Sequence, residues 1–277
     1  MDTALEFPSF DDHLPGLNQF ILGLVEDYNA GKIKSWDDLE ERAGVFFTPE
    51  RTEQMESIVP GWKKMASYSD GITLTHVMCV FLGLFMLPEF QSLPQEQQQL
   101  AKWTVLFHDV EKIHIRGTRD YIHGFKSAIL TAGTLRDIGF QTTEKFDDAI
   151  NSWSNFTKSA ITTNSSGEQI QDNTKLPTIF AGIEEMYENN SPTALIVKGV
   201  LLHMSINVVG NWPQAAPLVD GEIAKYIDKN ILPLLKVMML ADNEGWVMFY
   251  PEVRAQQREQ TLKVFAKIEA NISKESS

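Results

Sequence analysis

Three strongly apolar stretches of this chain each carry or deliver a side chain able to bind a metal, His76, His203 and Asp242, and a further segment carries the adjacent pair His108-Asp109. An imidazole or carboxylate in such a stretch needs a polar partner once the stretch is buried. The fold is therefore constrained to bring these segments together, with His108-Asp109 as the point where they meet. Successive residues on a helix point about 100° apart, so both members of the pair can grip one ion only at a helix edge facing other helices. His76 upstream, and His123, His203 and Asp242 downstream, are the groups available to complete such a site. Taken singly, His76 or His203 equally fits a hydrogen-bonded core histidine.

Periodicity predicts helix along most of the chain. Leu17, Phe20, Ile21, Leu24 and Val25 fall at helical spacing in residues 17–28, and Ser35-Trp36-Asp37-Asp38 has the form of an N-cap followed by an acidic first turn. These early helices are expected to brace the core. Residues 72–87 form a buried helix ended by Leu87-Pro88, and Pro94 starts a second helix that runs over 95–113 and carries His108-Asp109. A third covers 120–139, with His123 in its first turn and Gly139 as its stop. Residues 151–174 are polar and rich in Ser, Thr and Asn, which predicts a surface excursion or lid. Helical spacing resumes near Leu195 and leads to His203. Residues 231–241 are an apolar run that delivers Asp242. No period-two series and no internal repeat is present, so the expected fold is all-α: a compact multi-helix bundle forming one domain over 1–277.

Composition narrows the function classes. With 37 acidic against 24 basic residues the net charge is -13, which disfavours general attraction to nucleic acid or to an anionic membrane. The longest apolar stretch, residues 77–87, falls short of the roughly 18 to 20 residues that cross a bilayer. Met1-Asp2-Thr3-Ala4-Leu5-Glu6 lacks the basic-then-apolar order of a secretory signal, and the expected location is the cytoplasm. Cys79, the single cysteine, excludes an intramolecular disulfide and a cysteine-rich zinc cluster.

The ordered set His76, His108-Asp109, His123, His203, Asp242 resembles the HD superfamily of metal-dependent phosphohydrolases. Leu106-Phe107-His108-Asp109-Val110-Glu111-Lys112 is similar to that family's apolar-HD-x-x-Lys signature, with Glu111 where glycine is common. Asp120-Tyr121-Ile122-His123-Gly124-Phe125-Lys126 resembles its following histidine-containing helix start. Leu201-Leu202-His203 and Met239-Leu240-Ala241-Asp242 resemble its later segments. The likeness covers residues 70–250, which it marks as the metal-binding core. It implies that His76, His108, Asp109 and Asp242 bind a first metal. His123 and His203 then either bind a second metal, bridged through Asp109, or contact the substrate phosphate.

Imidazole and carboxylate donors without thiolates suit Mn, Fe, Co, Ni, Zn or Mg, as one ion or two. Such a centre activates water for attack on phosphorus. The implied activity is hydrolysis of a phosphate monoester or diester on a small nucleotide-like metabolite, with no protein nucleophile. Lys112, three residues after Asp109, is placed by helical spacing to stabilise phosphate oxygens. Arg116, Arg119 and Lys126 form a basic stretch beside His123 that either receives a small anionic substrate or is a solvated loop. Trp246, Phe249 and Tyr250 either wall a pocket or pack in the core. Two other readings fit the same residues: a di-iron oxygenase of the same superfamily acting on a small organic substrate, and a nucleotide-binding module without turnover.

Overall fold

A computed structural model describes residues 6–66, 72–113, 120–208 and 217–275. The chain opens with five helices, α1 (Phe10–His13), α2 (Pro15–Asn29), α3 (Trp36–Phe46), α4 (Pro49–Ile58) and α5 (Trp62–Ala66). Their starts follow local chemistry. Ser9, Ser35 and Thr48 each accept the N–H of the residue three positions on, which satisfies a main-chain donor that the first helical turn leaves free. The central run is α6 (Ile72–Met86), α7 (Pro88–Gln91), α8 (Gln95–Phe107) and α9 (His123–Ile138), the last stopped by Gly139 at φ 108°. Then come α10 (Phe146–Ser159), the antiparallel hairpin β1 (Ile161–Thr163) and β2 (Gln169–Gln171), α11 (Leu176–Met186) and α12 (Pro192–Leu202). Helices α13 (Asp220–Tyr226), α14 (Leu232–Trp246) and α15 (Pro251–Glu275) complete the described chain. The fold is all-α.

Helix α6 has no polar stripe along its middle, and every residue from Val77 to Leu82 is fully buried. A helix apolar on all sides belongs in the interior, and α6 accordingly packs against α2, α3, α8 and α14. The α6–α14 crossing is close because Gly245 lies on it: a Cβ there would stand 3.0 Å from Val80 Cγ2. Helix α12 lies across α8, α9, α11 and α14. The N-terminal helices do brace this core, as the sequence predicts. Gln99 on α8 accepts the Phe10 N–H at 2.8 Å, and the Lys102 ammonium meets Asp11 at 2.5 Å. Among the described residues no helix is long and apolar enough to cross a membrane.

Two expectations are corrected. The helix predicted over 95–113 stops at Phe107, and His108 to Glu111 follow as a turn in which the Val110 N–H bonds Phe107 O and the Lys112 N–H bonds Asp109 O. Residues 151–174 are no loop: they begin inside α10, whose Trp153 and Thr157 are buried against α11, and only the hairpin is an exposed excursion. The hairpin is anchored where Gln171 Oε1 accepts the Ser205 hydroxyl at 3.1 Å, two residues beyond His203.

The long α15 is held by charge as well as apolar packing. Glu244, 2% exposed, receives Arg254 Nε at 2.7 Å and Arg258 Nη1 at 2.7 Å, while Arg258 Nη2 also reaches Glu89. Removing the shared acceptor leaves two guanidiniums without their buried partner. Glu244→Ala is expected to lower stability by about 3 kcal/mol, read from urea unfolding; a loss below about 1 kcal/mol would mean that apolar contacts alone dock α15.

Candidate metal centre

Six side chains from five regions meet at one point. His76 comes from the first half of α6. His108 and Asp109 come from the turn after α8, His123 from the start of α9, His203 from the residue after α12 and Asp242 from α14. Helix ends supply most of them. The last carbonyls of a helix have no partner within it, and His108 Nδ1 lies 2.7 Å from Val105 O while His203 Nδ1 lies 2.7 Å from Val200 O. His123 Nδ1 makes the matching contact with Asp120 O ahead of α9. A carbonyl can only accept, so in each neutral ring the proton sits on Nδ1 and the Nε2 lone pair faces inward.

The inward atoms form two clusters, each with ligand atoms within 4.8 Å of one another: His76, His108 and Asp242 in one, Asp109, His123 and His203 in the other. Asp109 joins them. Its Oδ2 is 3.6 Å from both His76 Nε2 and His108 Nε2, and its Oδ1 is 2.9 Å from His123 Nε2 and 3.9 Å from His203 Nε2. Asp242 Oδ1 lies 2.9 Å from His76 Nε2 and 3.8 Å from His108 Nε2. The His76–Asp242 contact spans 166 residues of sequence.

Polar atoms here are left wanting. His108 Nε2 and Asp109 Oδ1 are buried without a hydrogen-bond partner of acceptable geometry. The Nε2 atoms of His123 and His203 stand 3.0 Å apart with both Nδ1 atoms committed to carbonyls, so a cation, proton or metal ion, is needed between the two lone pairs. The donor set fits a divalent metal in each cluster.

Electrostatics point the same way. Burial works against ionisation of Asp109, but the Lys112 ammonium leads the interactions that overcome it and hold the carboxyl well below its ordinary range. Burial likewise opposes ionisation of Asp242, and the hydrogen bond with His76 leads the interactions that outweigh it and keep the carboxyl below its ordinary range. Burial pushes the His203 pKa down to about 3 and also lowers that of His76. Two ionised carboxylates facing inward imidazole lone pairs suit the centre to cations.

The other predicted residues divide. Lys112 Nζ reaches Asp109 Oδ2 at 2.6 Å, through the turn rather than along a helix face. Lys126 pairs with Asp120 at 3.2 Å and touches neither cluster. Arg116 and Arg119 lie outside the described residues. Asp120 orients His123 with its main-chain carbonyl, while its carboxylate accepts the N–H groups of Ile113 and Ile122. Of the three aromatic residues after Asp242, only Trp246 stacks on a cluster residue, His76; Phe249 packs on Tyr28 and Trp36, and Tyr250 is exposed. Cys79 is a buried core residue, its thiol pKa raised by burial. Gly124 is a site determinant that the sequence reading passed over, signalled only by its place beside His123. A Cβ there would stand 3.1 Å from the carbonyls of both Val200 and Leu201 and 3.3 Å from the His203 ring, so its absence lets α9 and α12 bring His123 to His203.

Comparisons with protein-family models, with curated proteins and with solved structures return no match.

Gly124→Ala is expected to lose about 1–2 kcal/mol by overpacking, even though alanine in an open helix position gains about 1 kcal/mol over glycine; denaturant unfolding decides the sign. The buried histidines set a pH dependence. In the fold His203 stays neutral down to about pH 3, and His76 is also held below 6.5, whereas both take up protons near pH 6.5 once unfolded. The unfolded chain therefore binds more protons below pH 6.5, and stability of the metal-free protein falls as pH falls through that window. Asp109 and Asp242, protonating near 3.8 only when unfolded, extend the loss to lower pH. Urea midpoints measured from about pH 7 to about pH 4 should decline steadily, and a flat profile would contradict neutral burial.

Proposed function

We propose that this protein is an HD-type metal-dependent phosphohydrolase that cleaves a phosphate monoester or diester on a small, nucleotide-like anionic metabolite. The observation that carries the reading is the Asp109 carboxylate, whose two oxygens face two separate sets of imidazoles, with an ammonium on one of them. The six converging side chains are those whose order and contexts resemble the HD superfamily.

His76, His108, Asp242 and Asp109 Oδ2 are the groups to hold one ion, and His123, His203 and Asp109 Oδ1 the groups to hold a second. Mn, Fe, Co, Ni, Zn and Mg all suit this donor set. Divalent ions bound there supply water of lowered pKa and neutralise charge on phosphoryl oxygens. The chain does the rest. Carbonyls of Val105, Asp120 and Val200 keep the proton of each neutral ring on Nδ1 and so keep Nε2 free to bind. Lys112 shields one Asp109 oxygen and carries the ammonium nearest the clusters among the described residues, where it is placed to bind a substrate oxygen. Burial of the four histidines and Asp109 excludes bulk water and strengthens each of these interactions.

The reading is tested by assaying generic phosphate monoesters and diesters with Mn or Mg and counting bound metal. Asp109→Ala should reduce hydrolysis by more than about 100-fold and release metal, because both clusters lose their common member. Dioxygen consumption with two equivalents of iron, and no ester hydrolysis, would replace this reading with the oxygenase. A nucleotide that raises the melting temperature, with neither metal nor turnover, would replace it with a binding module.

A further inference from the structure

The four histidines of the centre are held in two different ways. His108, His123 and His203 sit at helix ends, where each finds a carbonyl three residues back for Nδ1. His76 sits within α6, and helix-interior carbonyls are committed to the N–H groups four residues on. Its Nδ1 is buried without a hydrogen-bond partner. Among the described residues no hydrogen bond fixes the Nδ1 side of this ring.

An aromatic ring packs on its face instead. The Trp246 indole stacks on the His76 imidazole with centroids 4.0 Å apart and planes 20° from parallel. Asp242 and Trp246 are four residues apart on α14 and therefore share a face. One helix thus presents a carboxylate to Nε2 of His76 and an indole to the flat of the same ring. The carboxylate meets the ring's edge, and the indole covers its face. Trp246 also lies under the Lys112 ammonium at 5.1 Å, a cation–π contact that holds this second group beside the first cluster. Trp246 is 39% exposed, so its position is not explained by core packing alone.

We propose that Trp246 is the positioning residue for His76, orienting by stacking the one imidazole of the centre that no carbonyl holds. The inference deepens the metal-centre reading, but its first test needs no metal. Long-range proton–nitrogen NMR spectra of the histidine rings are recorded on the full-length metal-free protein and on Trp246→Leu and Trp246→Phe. The leucine variant should broaden or shift the His76 ring nitrogens while those of His108, His123 and His203 stay, and phenylalanine should restore them. Should the leucine variant fail to fold, Trp246→Met, which keeps bulk without an aromatic face, is judged by the same criteria. Unchanged His76 nitrogens, or all four histidines moving together, would overturn the proposal. In a second arm, cobalt(II) is titrated into the same proteins and followed by visible absorption. The leucine variant should bind one equivalent about tenfold more weakly and the other as the wild type does, with recovery in the phenylalanine variant. Equal binding of both equivalents by wild type and leucine variant would overturn the role of Trp246 at the metal. Failure of cobalt to bind the wild type would instead count against the metal centre, while the ring spectra still decide the positioning.

Discussion

A single buried carboxylate organises this molecule. Asp109 is 1% exposed, and the Lys112 ammonium leads the interactions that keep it ionised against burial. Burying a charge is affordable only where such partners are fixed in place. Lys112 and His108 share the turn of Asp109 after α8, while His76, His123 and His203 reach it from α6, the start of α9 and the end of α12, so the demand of one side chain sets the relative placement of those helices.

The scaffold meets that demand with apolar helices that approach closely. Gly245 lets α14 lie against Val80 on α6, and Gly124 lets α9 lie against the carbonyls of α12. Termination matters as much as packing. Because α8 and α12 stop just before His108 and His203, their last carbonyls are free to orient those rings. The same helix ends that would otherwise leave main-chain acceptors unpaired thus become the supports of the centre.

Much of this was legible in the sequence, and the failures are physical. Apolar runs around His76, His203 and Asp242 marked buried helices that needed polar partners, and those segments do converge. Helix α10 was hidden because its buried face, Phe146, Ala149, Trp153 and Thr157, is thinly spread among Ser, Thr and Asn. The hairpin has strands of only three residues each, too short for alternation to register. Helices α11, α13 and α15 went unread; α13 has seven residues with none fully buried, and α15 is polar over most of its length. The end of α8 at Phe107 has no glycine or proline to announce it. It is set by the tertiary need of His108 and Asp109 to turn toward other helices, which local pattern does not encode. The stacking of Trp246 on His76 depends on the α6–α14 crossing and on nothing local to either residue.

The 166-residue span between His76 and Asp242 has a consequence for how the chain behaves when it opens. The other four members of the centre all lie inside that span, so no fragment smaller than most of the chain displays the full set. A contact between such distant residues closes a very long loop, which costs entropy that only the completed tertiary structure repays. Assembly of the six groups is therefore a late, whole-core event: any opening that separates α6 from α14 takes His76 away from Asp242 and disperses the set.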